Sequence, residues 1–351
     1  MSEHGSVLPA EWAPQVGVML TWPHEDSDWR PFLDRVEPVF VRIAVEVARR
    51  EELVIGCRDV ALAGRVRQLL RAAGVDLDRV HLHAVPTQDT WARDHGPITI
   101  VRRGSPLLLD FGFNGWGGKF AADQDDQISR RLHALGAFDQ GAIARIDLVL
   151  EGGSVESDGE GTLLTTRQCL LSATRSGLSE ADLTAQLKVL FGLERVLWLG
   201  HGHLEGDDTD GHIDTLARFT DAGTITYQAC DDAADPHFAG LRAMAHELAA
   251  LRTLRGEPYR LVPLPWPRAR LSAEGERLPA SYANFLIIND AVLVPTYDDP
   301  ADAHALAALA GCFPGREVVG IDCLPVIEQY GSLHCLTMQL PRPLSLGSGT
   351  A

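Results

Sequence analysis

From Val16 to Met338 the chain alternates short runs rich in Val, Ile, Leu and Thr with longer stretches whose apolar residues recur three and four apart. Such an alternation leaves little choice but an α/β fold, because each short run needs a partner strand and each amphipathic stretch needs a sheet to cover. Strands are expected at Val16–Thr21, Leu53–Cys57, Ile98–Arg102, Thr162–Thr166, Arg195–Leu199, Thr224–Gln228, Tyr282–Ile288, Glu317–Ile321 and Leu333–Met338, among others. Helices are expected at Phe32–Arg49, Val60–Ala73, Gln124–Leu135, Glu180–Leu190, Pro236–Leu254 and Ala301–Ala310. No composition break or Gly/Ser linker divides the chain, so one domain is expected over residues 1–340. Residues 341–351, with Pro341, Pro343, Gly347 and Gly349, read as a flexible tail.

Several classes are disfavoured by composition. The net charge of −17 argues against a nucleic-acid backbone or an anionic membrane surface as partner. The first residues carry Glu3, His4 and Glu11 without a basic stretch and apolar run, so no secretory signal is expected and the location reads as cytoplasmic. No apolar run approaches membrane-spanning length. Six cysteines without a C-x-x-C pair disfavour both a structural zinc site and a disulfide framework. A G-x-G-x-x-G fingerprint is absent, and Gly112–Gly118 lacks the Lys-Ser/Thr ending of a phosphate loop, so no nucleotide cofactor is expected.

Four segments carry chemistry. Trp91-Ala92-Arg93-Asp94-His95-Gly96-Pro97 sets an acid beside aromatic and basic groups in a turn before a strand. Leu150-Glu151-Gly152-Gly153-Ser154 follows an acid with two glycines that permit close backbone approach. In His201–Asp214, rich in histidine and carboxylate, a strand would point His212 and Asp214 to one face. His201, His203 and His212 could ligate a metal, yet no H-E-x-x-H spacing is present and Asp208–Gly211 lacks the later Glu of a calcium loop, so no metal is expected. Gly331-Ser332-Leu333-His334-Cys335 places a cysteine near a strand start, where a histidine or a cationic substrate can make it a thiolate. Asp94, Glu151, His212, Asn284 and Cys335 all fall at expected strand edges, roughly fifty to seventy residues apart, a period that suits one repeated unit sending side chains to a shared centre.

Together with Phe113–Lys119 (F-N-G-W-G-G-K), Ser281–Phe285 (S-Y-A-N-F), the opening P-A-E-W and Trp22–Trp29, these motifs resemble the agmatine deiminase family and its bacterial peptidylarginine deiminase relatives, from about Pro9 to Gln339. The resemblance implies a five-bladed α/β propeller (pentein) of repeated ββαβ units. It also implies hydrolysis of a guanidinium group through a covalent thiouronium, with agmatine converted to N-carbamoylputrescine and ammonia in putrescine biosynthesis. By motif, Cys335 is the nucleophile, His212 the general acid/base, Asp94 and Asp214 the guanidinium carboxylates, and Glu151 the group that orients His212. Asn284 matches a position near the cysteine, and Trp91 and Trp116 suit an aliphatic cation.

The implied substrate is a small cationic guanidine, with no cofactor required and a homo-oligomer open. Cys335 follows G-S-L-H rather than the G-G-G-N-I-H of plant-type agmatine deiminases, which leaves arginine or peptidyl-arginine as the alternative substrate. Readings of other classes are a metallohydrolase built on His201, His203 and His212, and a non-catalytic polyamine-binding propeller.

Overall fold

Helix Leu33–Ala48 buries Val36, Val39, Phe40, Ile43, Ala44 and Val47, the three-and-four spacing that lays one stripe on a sheet. Two further helices are fixed by their caps. Asp59 accepts from the Leu62 amide at the start of Val60–Ala72, and Ser179 accepts from the Asp182 amide at the start of Glu180–Phe191. Glu180–Phe191 then ends at Gly192 in the left-handed region. The strands between such helices are apolar on both faces: Leu53, Val54 and Ile55 are wholly buried.

The computed structural model describes residues 5–139 and 141–347. Its strands form five separate sheets of three or four strands and two short two-stranded pairs, and none of them closes on itself. One connectivity recurs in the five larger sheets: an antiparallel pair, then a helix, then a strand parallel to the second. It appears in Ile98–Arg102, Ser105–Gly112, helix Ile128–Ala134 and Ala142–Val149. It returns in Glu156–Ser157, Thr162–Thr166, helix Glu180–Phe191 and Arg195–Leu199. It returns again in Ala217–Asp221, Thr224–Gln228, helix Phe238–Ala250 and Arg260–Leu264, and in Leu286–Ile288, Ala291–Thr296, helix Asp302–Cys312 and Glu317–Asp322.

The remaining unit is assembled from both ends of the chain. Thr337–Pro341 pairs antiparallel with Gln15–Thr21, which continues through helix Leu33–Ala48 to the parallel strand Glu52–Cys57. Val80–Ala84 extends this sheet. The mixed α/β class is thus the observed one, and ββαβ is its repeating element.

Local boundaries differ where chemistry is concentrated. The strand expected over Tyr282–Ile288 begins only at Leu286, and the one expected over Leu333–Met338 begins at Thr337, after a turn of 3-10 helix at His334–Leu336. Of the expected tail, Leu344 is buried and Ser345–Leu346 pairs with Phe138–Asp139. Residues 348–351 lie outside the described residues. Among the described residues no helix is long and apolar enough to cross a membrane.

Candidate active site

Each of the five units is entered through a short turn, and these turns carry the expected side chains. Asp94 sits in the one-turn helix Ala92–His95 before Ile98–Arg102, and Glu151 caps the 3-10 turn Gly152–Ser154 before Glu156–Ser157. His212 caps Ile213–Thr215, Asn284 precedes Leu286–Ile288, and Cys335 lies within His334–Leu336. The strand expected to carry His212 and Asp214 on one face is therefore a 3-10 turn. The two side chains converge through a tight helical bend, a conformation that an alternation rule cannot describe.

Hydrogen bonds tie the turns to one another. The Gly153 amide donates to Asp94 Oδ1 at 3.1 Å, and the Asn284 side-chain amide donates to the Asp214 carbonyl at 3.4 Å. The His334 amide donates to Asn284 Oδ1 at 2.9 Å, and Arg93 Nε donates to the His334 carbonyl at 3.5 Å. The Cys335 Sγ lies 3.4 Å from Asn284 Oδ1 and 3.8 Å from Asp214 Oδ2. His212 Nδ1 lies 3.7 Å from Asp94 Oδ1. All of these residues are buried.

Gly153 explains its motif. A Cβ there would stand 2.5 Å from His212 Nδ1, 3.0 Å from Asp94 Oδ1 and 3.1 Å from Asp214 Oδ2, so the packed centre admits no side chain. Trp116 is placed by similar means. Its own φ of 54° is in the left-handed region, and Asn114 Oδ1 accepts from the Gly117 amide to hold the turn. The indole Nε1 then donates to Asp94 Oδ2 at 2.9 Å. Trp91 meets Trp116 edge-on, with ring centroids 6.5 Å apart.

Burial sets the electrostatics. It raises the Asp94 carboxyl to about 6, opposed by the nearby His212 and reinforced by Asp214 and Glu151. Burial also pushes Asp214 upward, but the hydrogen bond and charge of His334, with the charges of His212 and Arg218, hold it below its ordinary value. The Cys335 thiol is pushed well up by burial, with Asp214 and Asp94 adding to the effect. A neutral thiol between two acids is an uncharged nucleophile awaiting a cation.

Two groups have free valence. Neither ring nitrogen of His212 and not Asp214 Oδ1 finds a hydrogen-bond partner among the described residues, although all three atoms are buried. Buried polar atoms are normally paired, so these three point to a ligand that completes them.

Glu151 is placed differently from its expected role. Its two oxygens each lie 3.0 Å from Arg175 Nε, and no hydrogen bond joins it to His212. Glu151, Cys169 and His212 do bring ligating atoms within 4.8 Å of one another, the one such group among the described residues. His201 and His203 do not join it. His201 pairs with Glu247, and His203 lies beside His237, so the metal set drawn from these three histidines does not assemble.

A narrow cleft leads to the thiol, lined by Asp89, Trp91, Asp94, Trp116, Phe120, Asp208, Thr209, Gln329, Tyr330, Gly331 and Cys335. Its lining holds three acids and no Arg, Lys or His. Arg93, the cation nearest in sequence, is turned inward onto Gln339, the His334 carbonyl and Glu11.

Three residues of this centre escaped the sequence reading. Glu11 had no role beyond the opening charges and P-A-E-W, His334 stood only as the neighbour of Cys335, and Arg175 in no motif at all.

The family model for Porphyromonas-type peptidyl-arginine deiminases matches residues 7–341. The agmatine deiminase of Pseudomonas aeruginosa (strain LESB58) is 32% identical over 364 residues, which cover 97% of this chain and 96% of that one. Among solved structures, a chain from Porphyromonas gingivalis described as a candidate arginine deiminase is 52% identical, with a TM-score of 0.91 and coverage of 97% and 99%. The C. jejuni agmatine deiminase, solved with substrate bound in a cysteine-to-serine variant, is 34% identical, with a TM-score of 0.87 and coverage of 95% and 96%. Matched by that model across nearly its whole length, with curated relatives at this identity, the chain belongs to the Porphyromonas-type peptidyl-arginine deiminase family.

Proposed function

We propose that the protein hydrolyses the guanidinium group of agmatine to N-carbamoylputrescine and ammonia, a step toward putrescine, with Cys335 as nucleophile. The observation that carries this reading is the cleft: an acidic, aromatic passage without a cationic side chain ends at a buried thiol between two carboxylates. A guanidinium is flat and delocalised, so Asp94 and Asp214 each take one edge while its carbon faces sulfur. Its charge offsets the burial that keeps Cys335 protonated.

With the guanidinium bound, the Cys335 thiol passes its proton to His212, and the thiolate attacks to form the S–C bond and a tetrahedral carbon. His212 gives a proton to the departing nitrogen as the C–N bond breaks, leaving ammonia and a thiouronium. The same imidazole then takes a proton from water, the resulting oxygen adds to carbon, and the S–C bond breaks to release the ureido product. Glu151, anchored by Arg175, supplies a fixed negative charge near His212 when that ring is protonated. Asn284 holds the nucleophile turn through its contacts with the His334 and Cys335 amides. Trp91 and Trp116 flank the chain of the substrate, and Asp89 and Asp208 offer charge for a distal ammonium.

Around this site we read one catalytic domain of five ββαβ units set as the blades of a propeller, supported by the contacts that link the five entry turns. The charge of −17 suits a small cationic substrate, and we read the protein as cytoplasmic.

Arginine or peptidyl-arginine is the second reading, favoured by the family description and by the P. gingivalis relative. Free arginine brings an α-carboxylate into a cleft that lacks a cation to receive it. Ammonia release measured across agmatine, arginine and arginyl peptides decides between them. Agmatine should give the highest kcat/KM, and preference for either of the others would overturn the choice of substrate.

A further inference from the structure

Behind the cleft, a second line of charged groups runs inward from Asp214. Asp214 Oδ2 lies 2.8 Å from His334 Nδ1, and His334 Nε2 lies 2.7 Å from Glu11 Oε2. Glu11 is itself fixed at both oxygens: Oε1 accepts from the Ile287 amide at 2.7 Å, and Oε2 accepts from Arg218 Nη2 at 2.8 Å. Arg218 continues to Glu156 Oε2 at 2.7 Å. Glu11 thus comes from the opening segment of the chain and His334 from its end, yet both are buried in one centre.

Each of the two contacts to His334 needs a proton. Carboxylates only accept when ionised, and both Glu11 and Asp214 are held below their ordinary values, by Arg218 and His334 in the first case and by His334, His212 and Arg218 in the second, against the upward push of burial. The ring must then supply both protons. Burial, with the charges of Arg218 and Arg93, pulls the His334 pKa down, while Glu11 and the bond to Asp214 oppose it. The two short contacts decide the state, because a neutral ring would set a bare nitrogen lone pair against a carboxylate oxygen in one of them.

The consequence falls on Asp214. One of its oxygens is committed to His334, and the other, Oδ1, has no partner among the described residues. That division fixes which oxygen meets the substrate and at what angle.

We propose that Glu11 is a positioning residue for guanidine hydrolysis, acting through an imidazolium at His334 that pins Asp214 Oδ2 and leaves Oδ1 to take the guanidinium edge. The proposal rests on the guanidine reading of the site. It gives a purpose to the P-A-E-W motif and to the histidine before the nucleophile.

The first test is nitrogen NMR of the intact protein labelled at histidine, with the His334 signals assigned by their loss in His334→Gln. Two protonated ring nitrogens at pH 7 are expected, and one nitrogen bearing a free lone pair overturns the proposal. The second is Glu11→Gln, which keeps the shape and removes the charge. Its kcat/KM for agmatine should fall about a hundredfold, as for a misaligned reacting group. The Glu11→Gln/His334→Gln double variant should be no worse than the poorer single variant, since both act along one path. Unchanged kcat/KM in Glu11→Gln, or fully additive losses in the double variant, overturns the proposal. If Glu11→Gln fails to fold, the wild-type spectrum decides alone. If the wild-type protein turns over no guanidine, the site reading fails while the spectrum still reports the charge of His334, so the two failures are separable.

Discussion

The Sγ of Cys335 lies 3.4 Å from Oδ1 of Asn284, the same oxygen that receives the amides of His334 and Cys335. One side chain therefore holds both the backbone and the sulfur of the nucleophile turn. Preorganisation of this kind lets the thiol meet a bound carbon without searching for its position.

Replacing Cys335 by Ser keeps size and burial and removes the sulfur. Ammonia release from agmatine should fall on the order of 10⁴-fold or more, while the thermal midpoint and agmatine binding by calorimetry stay near wild type. Turnover close to wild type in that variant would refute the nucleophile.

Asp94 sets a pH limit. With its carboxyl raised to about 6 by burial, it is protonated below that pH and cannot accept a guanidinium edge. The kcat/KM for agmatine should therefore drop about tenfold per pH unit below roughly pH 6 and level off above it. Asp94→Asn should lower the plateau and abolish this acid limb; an identical limb in the variant would assign it to another group.

Gly153→Ala adds one methyl where His212 and two carboxylates leave no room. The overpacking should cost about 1–3 kcal/mol of stability, read by urea unfolding. Activity should fall on the order of 10²-fold through displacement of the reacting groups. An active, stable Gly153→Ala protein would show that the centre is looser than these distances indicate.

Arg175→Met strands the Glu151 carboxylate, because Arg175 donates to both of its oxygens and both side chains are fully buried. Loss of one partner from such a pair costs about 3–5 kcal/mol. Urea unfolding measures it, and a loss below about 1 kcal/mol would mean that Glu151 finds relief elsewhere. Arg175→Lys should recover little, since an ammonium cannot reproduce the guanidinium contacts to Glu151, Asp210 and Thr209.

Much of the fold was written in local pattern. Ile98–Arg102, Thr162–Thr166, Arg195–Leu199 and Thr224–Gln228 form at the expected residues because their β-branched content and their flanking punctuation agree. The segments that carry His212, Asn284 and Cys335 read as strand because their apolar residues face a buried centre and hide the turn that enters each unit. The meeting of Asp94, His212, Asp214, Asn284 and Cys335 was legible only through motifs and their spacing. Arg175 and Glu11 were not, since an ion pair across long sequence separation leaves no periodic trace. The bond that commits Glu151 to Arg175 rather than to His212 belongs to the same class of information.

The pairing of Thr337–Pro341 with Gln15–Thr21 has a bearing on biosynthesis. Cys335 enters its place only when Thr337–Pro341 docks against Gln15–Thr21, so a chain grown only as far as His334 carries the acids and the histidine without the sulfur. Contacts spanning nearly the full sequence are also slow to form, and a chain shortened before Thr337 would lose the seam and the nucleophile's seat together.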